Sequence, residues 1–120
     1  MDCPMTKARA EFHLRVVKGR TRAIGPGKIA LLEAIRDTGS ISGGARKLRM
    51  SYRRAWVLVS DLNHRVSKPV VLAAPGGRHG GGAALSPTGH KLVALYRDIE
   101  RRALKHTSPA TRALLGLLAE

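Results

Sequence analysis

Apolar and polar positions recur with two different periods along the chain, and these periods predict a mixed but mainly helical domain. In residues 11–17 the apolar side chains Phe12, Leu14 and Val16 alternate with polar ones. This period of two predicts an extended segment with one buried face. Residues 18–25, which are basic and contain glycine, are expected to form a loop.

Two helices are predicted to follow this loop. Pro26 suits the first turn of a helix, which is expected to bury Leu31, Leu32 and Ile35 and to stop at Gly39. Ser40-Ile41-Ser42 is expected to open a second, short helix that ends near Leu48, with a serine hydroxyl as acceptor for free N–H groups at its start. The small residues Gly43 and Gly44 permit close packing of this helix.

A third helix is predicted from Tyr52 to about Val66, capped by Ser51. Apolar residues recur in it at spacings of four, three and four: Ala55, Val59, Leu62 and Val66. Trp56 lies beside this stripe and is interpreted as a core residue. The opposite face is more polar, with Ser51, Arg53, Arg54, Val57, Ser60, Asp61 and His64.

Two short apolar runs, residues 70–74 and 83–85, flank a glycine-rich segment and predict a β-hairpin. Ser86 is expected to cap a fourth helix that reaches about Lys105. Its predicted apolar face contains Leu92, Leu95, Tyr96, Ile99 and Ala103. Residues 107–109 are expected to break this helix, and residues 110–119 are predicted to form a last one.

The order of these elements predicts the fold class. It is mainly α with a small β-hairpin, as in a winged helix-turn-helix domain, with a long C-terminal dimerisation helix. The predicted organisation is a basic leader at residues 1–10, the winged domain at 11–105 and a helical tail at 106–120.

Charge points to the class of partner. The formal net charge is +14 and the isoelectric point is near 11.5, so the surface attracts polyanions. Nucleic acid is favoured over an anionic membrane because the basic residues are spread along the chain instead of lining one amphipathic helix. The first residues lack the apolar stretch of a secretory signal, which predicts a cytoplasmic protein.

The third helix is predicted to read DNA in the major groove. Ser51, Tyr52, Arg53 and Arg54 occupy its first turn, where such helices contact bases. Arginine can pair with guanine through two hydrogen bonds. Phosphate contacts are expected from the residues around the second helix and in the first loop, namely Arg20, Arg22, Ser42, Arg46, Lys47 and Arg49.

The glycine-rich segment of the hairpin is predicted to place Arg78 in a minor groove and His79 against a phosphate. A plain turn is the alternative. A nucleotide-binding loop is disfavoured because no lysine follows the glycines. The acidic residues and histidines form no catalytic or metal-binding pattern, so no enzyme activity, cofactor or metal is predicted.

Several segments together resemble the N-terminal domain of ModE-type molybdate-responsive regulators. They are residues 40–45, the run Met50-Ser51-Tyr52-Arg53-Arg54-Ala55-Trp56, Leu62-Asn63, the glycines around residues 76–83, Leu85-Ser86, Gly89 and Leu95-Tyr96. The resemblance covers about residues 11–105 and extends more widely to LysR-type DNA-binding domains. It implies a homodimer on a palindromic promoter site, with dimer contacts from residues 26–38 and 86–105.

Two departures from the family qualify this expectation. Full-length members carry C-terminal oxyanion-binding domains, whereas this sequence ends at Glu120, so a small-molecule effector is not expected to act on this chain alone. Arg49 stands where the family often has glycine. If that position has a positive φ, arginine costs about 1 kcal/mol there.

The sequence therefore predicts a sequence-specific, homodimeric transcriptional regulator. Two alternatives remain open at this point. One is a nucleoid-type protein that binds DNA without sequence preference, and the other is a module that forms a heterodimer with a full-length regulator.

Overall fold

The computed structural model describes residues 7–75 and 81–119, which form two β-hairpins and five helices. The strands are β1 (Val16–Lys18), β2 (Thr21–Ile24), β3 (Val71–Ala74) and β4 (Gly82–Leu85). The helices are α1 (Pro26–Thr38), α2 (Ile41–Lys47), α3 (Tyr52–Arg65), α4 (Pro87–His106) and α5 (Ser108–Leu115). None of the helices in this part of the chain is long and apolar enough to cross a membrane.

Serine side chains begin three of the helices as predicted. The hydroxyls of Ser40, Ser51 and Ser86 each accept a hydrogen bond from the backbone N–H three residues later, at 2.9, 3.1 and 3.0 Å. Gly39 ends α1 in the left-handed conformation, with φ 81°, and its N–H donates to the Ile35 carbonyl at 2.8 Å. The predicted starts of α1, α2, α3 and α4 are confirmed.

The core lies between α1 and the elements that surround it. Its largest fully buried side chains are Ile29, Leu31, Leu32, Ile35, Leu62 and Val70. The packing of α2 on α1 depends on Gly44, because a Cβ there would lie 2.9 Å from Ile35 Cγ1. The small residues of α2 therefore permit the close contact that the sequence predicts.

The hairpin β3–β4 is antiparallel, with Val71 opposite Leu85 and Ala74 opposite Gly82. The Ala83 N–H donates to the carbonyl of Gly39 at 2.9 Å, which fixes β4 to the end of α1. This hairpin is the predicted wing, and its base is attached to the helical core.

The prediction of one strand over residues 11–17 and a loop over residues 18–25 is wrong in detail. Only residues 16–18 form a strand, and β2 lies in the segment that was expected to be a loop. A two-residue turn joins them, with φ 63° at Gly19, as a type II′ turn requires. The segment before β1 has no partner strand, and its Leu14 carbonyl accepts a hydrogen bond from Tyr96 Oη at 2.6 Å.

The predicted apolar face of α4 is also only partly buried. Tyr96 lies in the core, but Leu95 is 52% exposed and Ile99 is 47% exposed. The buried positions are Gly89, Val93 and Tyr96, a face rotated from the predicted one. Arg97 then holds α4 to α1 through two hydrogen bonds to the Glu33 carboxylate.

The last helix begins earlier than predicted. Thr107 is the single residue between α4 and α5, so the expected break over residues 107–109 is shorter. No residue of α5 is buried.

Candidate nucleic-acid interface

Helices α2 and α3 form a helix-turn-helix whose second helix presents its first turn to solvent. The residues predicted to contact bases, Ser51, Tyr52, Arg53 and Arg54, are all exposed, and Tyr52 is exposed over 56% of its surface. The Ser51 hydroxyl is occupied as the helix cap, where it accepts from the Arg54 N–H. Farther along α3, Val57 and His64 are exposed and Ser60 is half-buried on the same side as Arg53.

The residues predicted to hold phosphates surround this turn. Ser42, Arg46 and Arg49 are exposed on or just after α2. Lys47 is exposed too, but its Nζ lies 3.3 Å from a carboxylate oxygen of Asp37. Lys47 is therefore partly neutralised, whereas Arg46 and Arg49 make no ion pair within the described residues.

No carboxylate in the described residues balances the positive charge of the first turn of α3. Every carboxylate side chain in residues 7–75 and 81–119 has a basic partner elsewhere. The pairs join Glu11 to Arg9, Glu33 and Glu100 to Arg97, Asp37 to Arg36 and Lys47, Asp61 to Lys28 and Arg65, and Asp98 to Arg101 and Arg102. Arg53 and Arg54 have no such partner in that part of the chain. The positive charge of the first turn of α3 is thus uncompensated.

Arg49 lies in the left-handed region, with φ 57°, and is the one non-glycine residue with a positive φ in the described chain. L-residues with a side chain are strained there by about 1–2 kcal/mol. Position 49 therefore has the positive φ at which arginine costs more than glycine.

Replacing Arg49 by glycine is expected to raise the free energy of unfolding by about 0.5–1 kcal/mol. The gain from relieved strain exceeds the extra freedom of glycine in the unfolded chain. Arg46→Gly is the control, because it removes the same charge from a helical position and should destabilise by about 1 kcal/mol. Urea unfolding of both variants measures this, and a loss of stability in Arg49→Gly would contradict the assignment of strain.

The interpretation of Trp56 as a core residue is wrong, because 53% of its surface is exposed. Ala55, Val59 and Leu62 fill the buried face of α3, and successive helical residues are about 100° apart, so Trp56 lies at its margin. It lines a groove between α3 and the wing, together with Ile41, Asn63, Leu72 and Ala73. An apolar ring thus adjoins the basic first turn.

Asn63 positions the wing against α3, a role that the sequence analysis did not assign. Its Oδ1 accepts hydrogen bonds from the N–H groups of Val70 and Val71 at 2.8 and 3.2 Å. Its Nδ2 donates to the Val71 carbonyl at 3.2 Å. The start of the wing is therefore attached directly to α3.

Lys28 and Asp61 attach the other side of α3 to α1, and the sequence analysis did not link them. Their side chains meet at 2.5 Å, and Lys28 also donates to the carbonyls of Arg22 and Ala23. The hydrogen bond from Lys28, followed by that from Arg65, lowers the pKa of the Asp61 carboxyl. Because the two residues are 33 positions apart, no local pattern could have revealed the pair.

Two predicted contacts, Arg78 and His79, lie outside the described residues. Within the described part of the chain, no three histidine, cysteine, aspartate or glutamate side chains come together as a metal site.

Comparison with known proteins finds relatives among the Mop and ModE proteins. No family model matches the chain. It is 48% identical over 100 residues to the molybdenum-pterin-binding protein MopB of Rhodobacter capsulatus, covering 82% of this chain and 37% of MopB. It is 45% identical over 97 residues to the transcriptional regulator ModE of Yersinia pestis, covering 78% of this chain and 37% of that protein. With the DNA-binding transcriptional dual regulator ModE of Escherichia coli K12 the identity is 41% over 71 residues, which cover 59% of this chain and 27% of that protein.

Solved structures give a fold relationship. The full-length LTTR LysG of Corynebacterium glutamicum superposes with a TM-score of 0.55 at 22% identity, covering 74% of this chain and 29% of that one. Its complex with the effector Arg gives a TM-score of 0.56. The fold of this LysR-type structure agrees with the winged arrangement of helices and hairpin in the present chain. By sequence, therefore, the chain is a relative of the ModE and Mop proteins, matched over a segment that spans only about a third of their length.

Proposed function

We propose that this chain binds DNA in a sequence-specific manner as a transcriptional regulator and is not an enzyme. The observation that carries the proposal is the exposed first turn of α3, where Arg53 and Arg54 have no carboxylate partner in the described residues. A helix with this placement fits the major groove, and arginine reads guanine there. Molybdenum binding is no part of the proposal, because the names that mention it belong to proteins of which this chain spans about a third.

Arg53 is the central reading residue in this proposal. Arg53, Val57, Ser60 and His64 follow one another at helical spacings along the outer side of α3. Among these four residues Arg53 has the long basic side chain, so it reaches the base edges on the floor of the DNA major groove. Arg46 and Arg49 lie beside the stripe and contact the phosphate backbone, which fixes the position of the protein without reading sequence.

A homodimer presents two such helices to a palindromic promoter site. Exposed apolar residues on α4, on α5 and in the segment just after α5 supply the dimer surface in this proposal: Leu95, Ile99, Leu104, Leu114, Leu117 and Leu118. Two-fold symmetry would place the reading helices about one turn of DNA apart, roughly 34 Å. Dimerisation through α4 and α5 also agrees with the position of these helices away from α3.

Arg53→Ala is expected to weaken binding to a selected site by about 5- to 150-fold, the equivalent of 1–3 kcal/mol. Binding to unrelated DNA should change far less, because a phosphate contact would be unaffected. Arg46→Ala is the matched variant, and it should weaken binding to both DNAs by the same factor.

The measurement is a titration of end-labelled duplexes with each variant at fixed salt. Equal losses on selected and unrelated DNA in Arg53→Ala would show that Arg53 contacts the backbone and not a base.

A further inference from the structure

A second basic feature lies on the side of α3 that faces away from the wing. The residues Arg15, Arg22 and Arg54 line one pocket of about 190 Å³, which we call the hairpin pocket. Arg15 precedes β1, Arg22 belongs to β2 and Arg54 to the first turn of α3. Its wall is the backbone of residues 25–27, and Arg15 runs along Gly25, whose added Cβ would lie 3.9 Å from Arg15 Cγ.

The charge in this pocket is not balanced by the protein. None of the three arginines makes an ion pair within residues 7–75 and 81–119. The carboxylate of Asp61 lies two turns farther along the same flank of α3 and is already shared by Lys28 and Arg65. Three arginines that line one small pocket without a carboxylate partner repel one another, and an anion bound among them would relieve that repulsion.

The position of the pocket identifies the anion. Trp56 and Asn63 face the wing, whereas Arg54 and Asp61 lie on the opposite flank of α3, next to β2. The recognition helix is therefore bordered by a hairpin on each side. Strands of the DNA backbone run along both edges of the groove that such a helix enters.

We propose that the hairpin pocket binds a phosphodiester group of the DNA backbone, which makes β1–β2 a second wing. This inference rests on the proposed function. Lys28 supports it structurally, because its hydrogen bonds to the Arg22 and Ala23 carbonyls hold β2 against α1 and α3. Arg15 and Arg22 bind the phosphate, and Arg54 links that contact to the helix that reads bases.

The test is the salt dependence of DNA binding by the double variant Arg15→Ala/Arg22→Ala. Each phosphate neutralised by a protein contributes about 0.9 to the slope of log affinity against log salt concentration. The slope should therefore fall by about 1 in this variant. Affinity near 0.15 M salt should fall roughly fivefold or more for selected and unrelated DNA alike. The control is Arg112→Ala, which removes an arginine from exposed α5 and should leave the slope unchanged.

Gly27→Asp tests the same pocket by adding a carboxylate in place of removing arginines. A Cβ at Gly27 meets nothing within 4 Å, and acidic residues suit the first turn of a helix, so the variant should fold stably. Its carboxylate should compete with the phosphate and lower DNA affinity, while thermal unfolding shows a stability equal to or above that of the parent.

The outcomes separate the two proposals. The parent protein could bind DNA while the double variant and Gly27→Asp both keep its affinity and salt slope. In that case the hairpin pocket holds no DNA phosphate, so this inference is wrong and the proposed function stands. If millimolar inorganic phosphate stabilises the free protein through these arginines while the DNA slope is unchanged, the occupant is a free anion and the inference is again wrong. If the parent protein binds no DNA, both the proposed function and this inference are wrong.

Discussion

Gly89→Ala is expected to destabilise the protein by about 3 kcal/mol or more. A Cβ on Gly89 would lie 2.2 Å from the carbonyl oxygen of Val70. That carbonyl already accepts the Ser86 N–H at 2.9 Å, and Val70 is fully buried, so neither the backbone nor the side chain can move away. The junction between the wing and α4 must open to admit one methyl group.

Thermal unfolding measures this effect, with an expected fall in Tm of more than about 10 °C. Gly27→Ala is the matched control, because the same substitution at a helical glycine with open space should be neutral or stabilising by up to about 1 kcal/mol. A Gly89→Ala protein as stable as the parent would show that α4 does not approach the wing as closely as described.

Asn63→Leu is expected to cost about 2–4 kcal/mol and to loosen the wing. Leucine has a similar size but leaves the buried N–H groups of Val70 and Val71 without the acceptor that Asn63 Oδ1 provides. Each unsatisfied buried donor costs about 1–3 kcal/mol. Because these residues begin the wing, DNA affinity should fall as well.

Asn63→Asp is the control for this position, since a carboxylate keeps the acceptor for both N–H groups, although its second oxygen replaces the donor and is repelled by the Val71 carbonyl. It should cost less than Asn63→Leu in urea unfolding. Hydrogen exchange of the Val70 and Val71 amides should accelerate more in the leucine variant. Equal exchange rates in both variants would contradict the acceptor role.

The helices could be predicted because their signals are local. Ser51 and Ser86 are caps that act on the next three residues, and the glycine at position 39 ends α1 through its own φ. Strand β2 has no such signal, since a four-residue strand with one buried side chain resembles a basic loop. The rotation of α4 depends on which of its faces meets α1, and that is decided by long-range pairs such as Glu33 with Arg97.

The candidate site could be predicted to a similar extent. The exposure of Arg53 follows from the helical period of α3, and the strain at Arg49 was anticipated from the family resemblance. Trp56 was assigned to the core because a large apolar residue beside a buried stripe usually packs there. The hairpin pocket unites residues 15, 22 and 54, which no sequence spacing connects, so only the folded chain reveals it.

Specific recognition of DNA by α3 can be tested by affinity selection. Fragmented genomic DNA is selected on the purified protein at about 0.15 M salt, and the bound fragments are sequenced, with the Arg53→Ala variant in parallel. If α3 reads bases, one palindromic motif with half-sites about one helical turn apart is enriched, and the variant enriches it poorly. Uniform recovery of all fragments by both proteins would contradict it and would favour a protein that binds DNA through its charge alone.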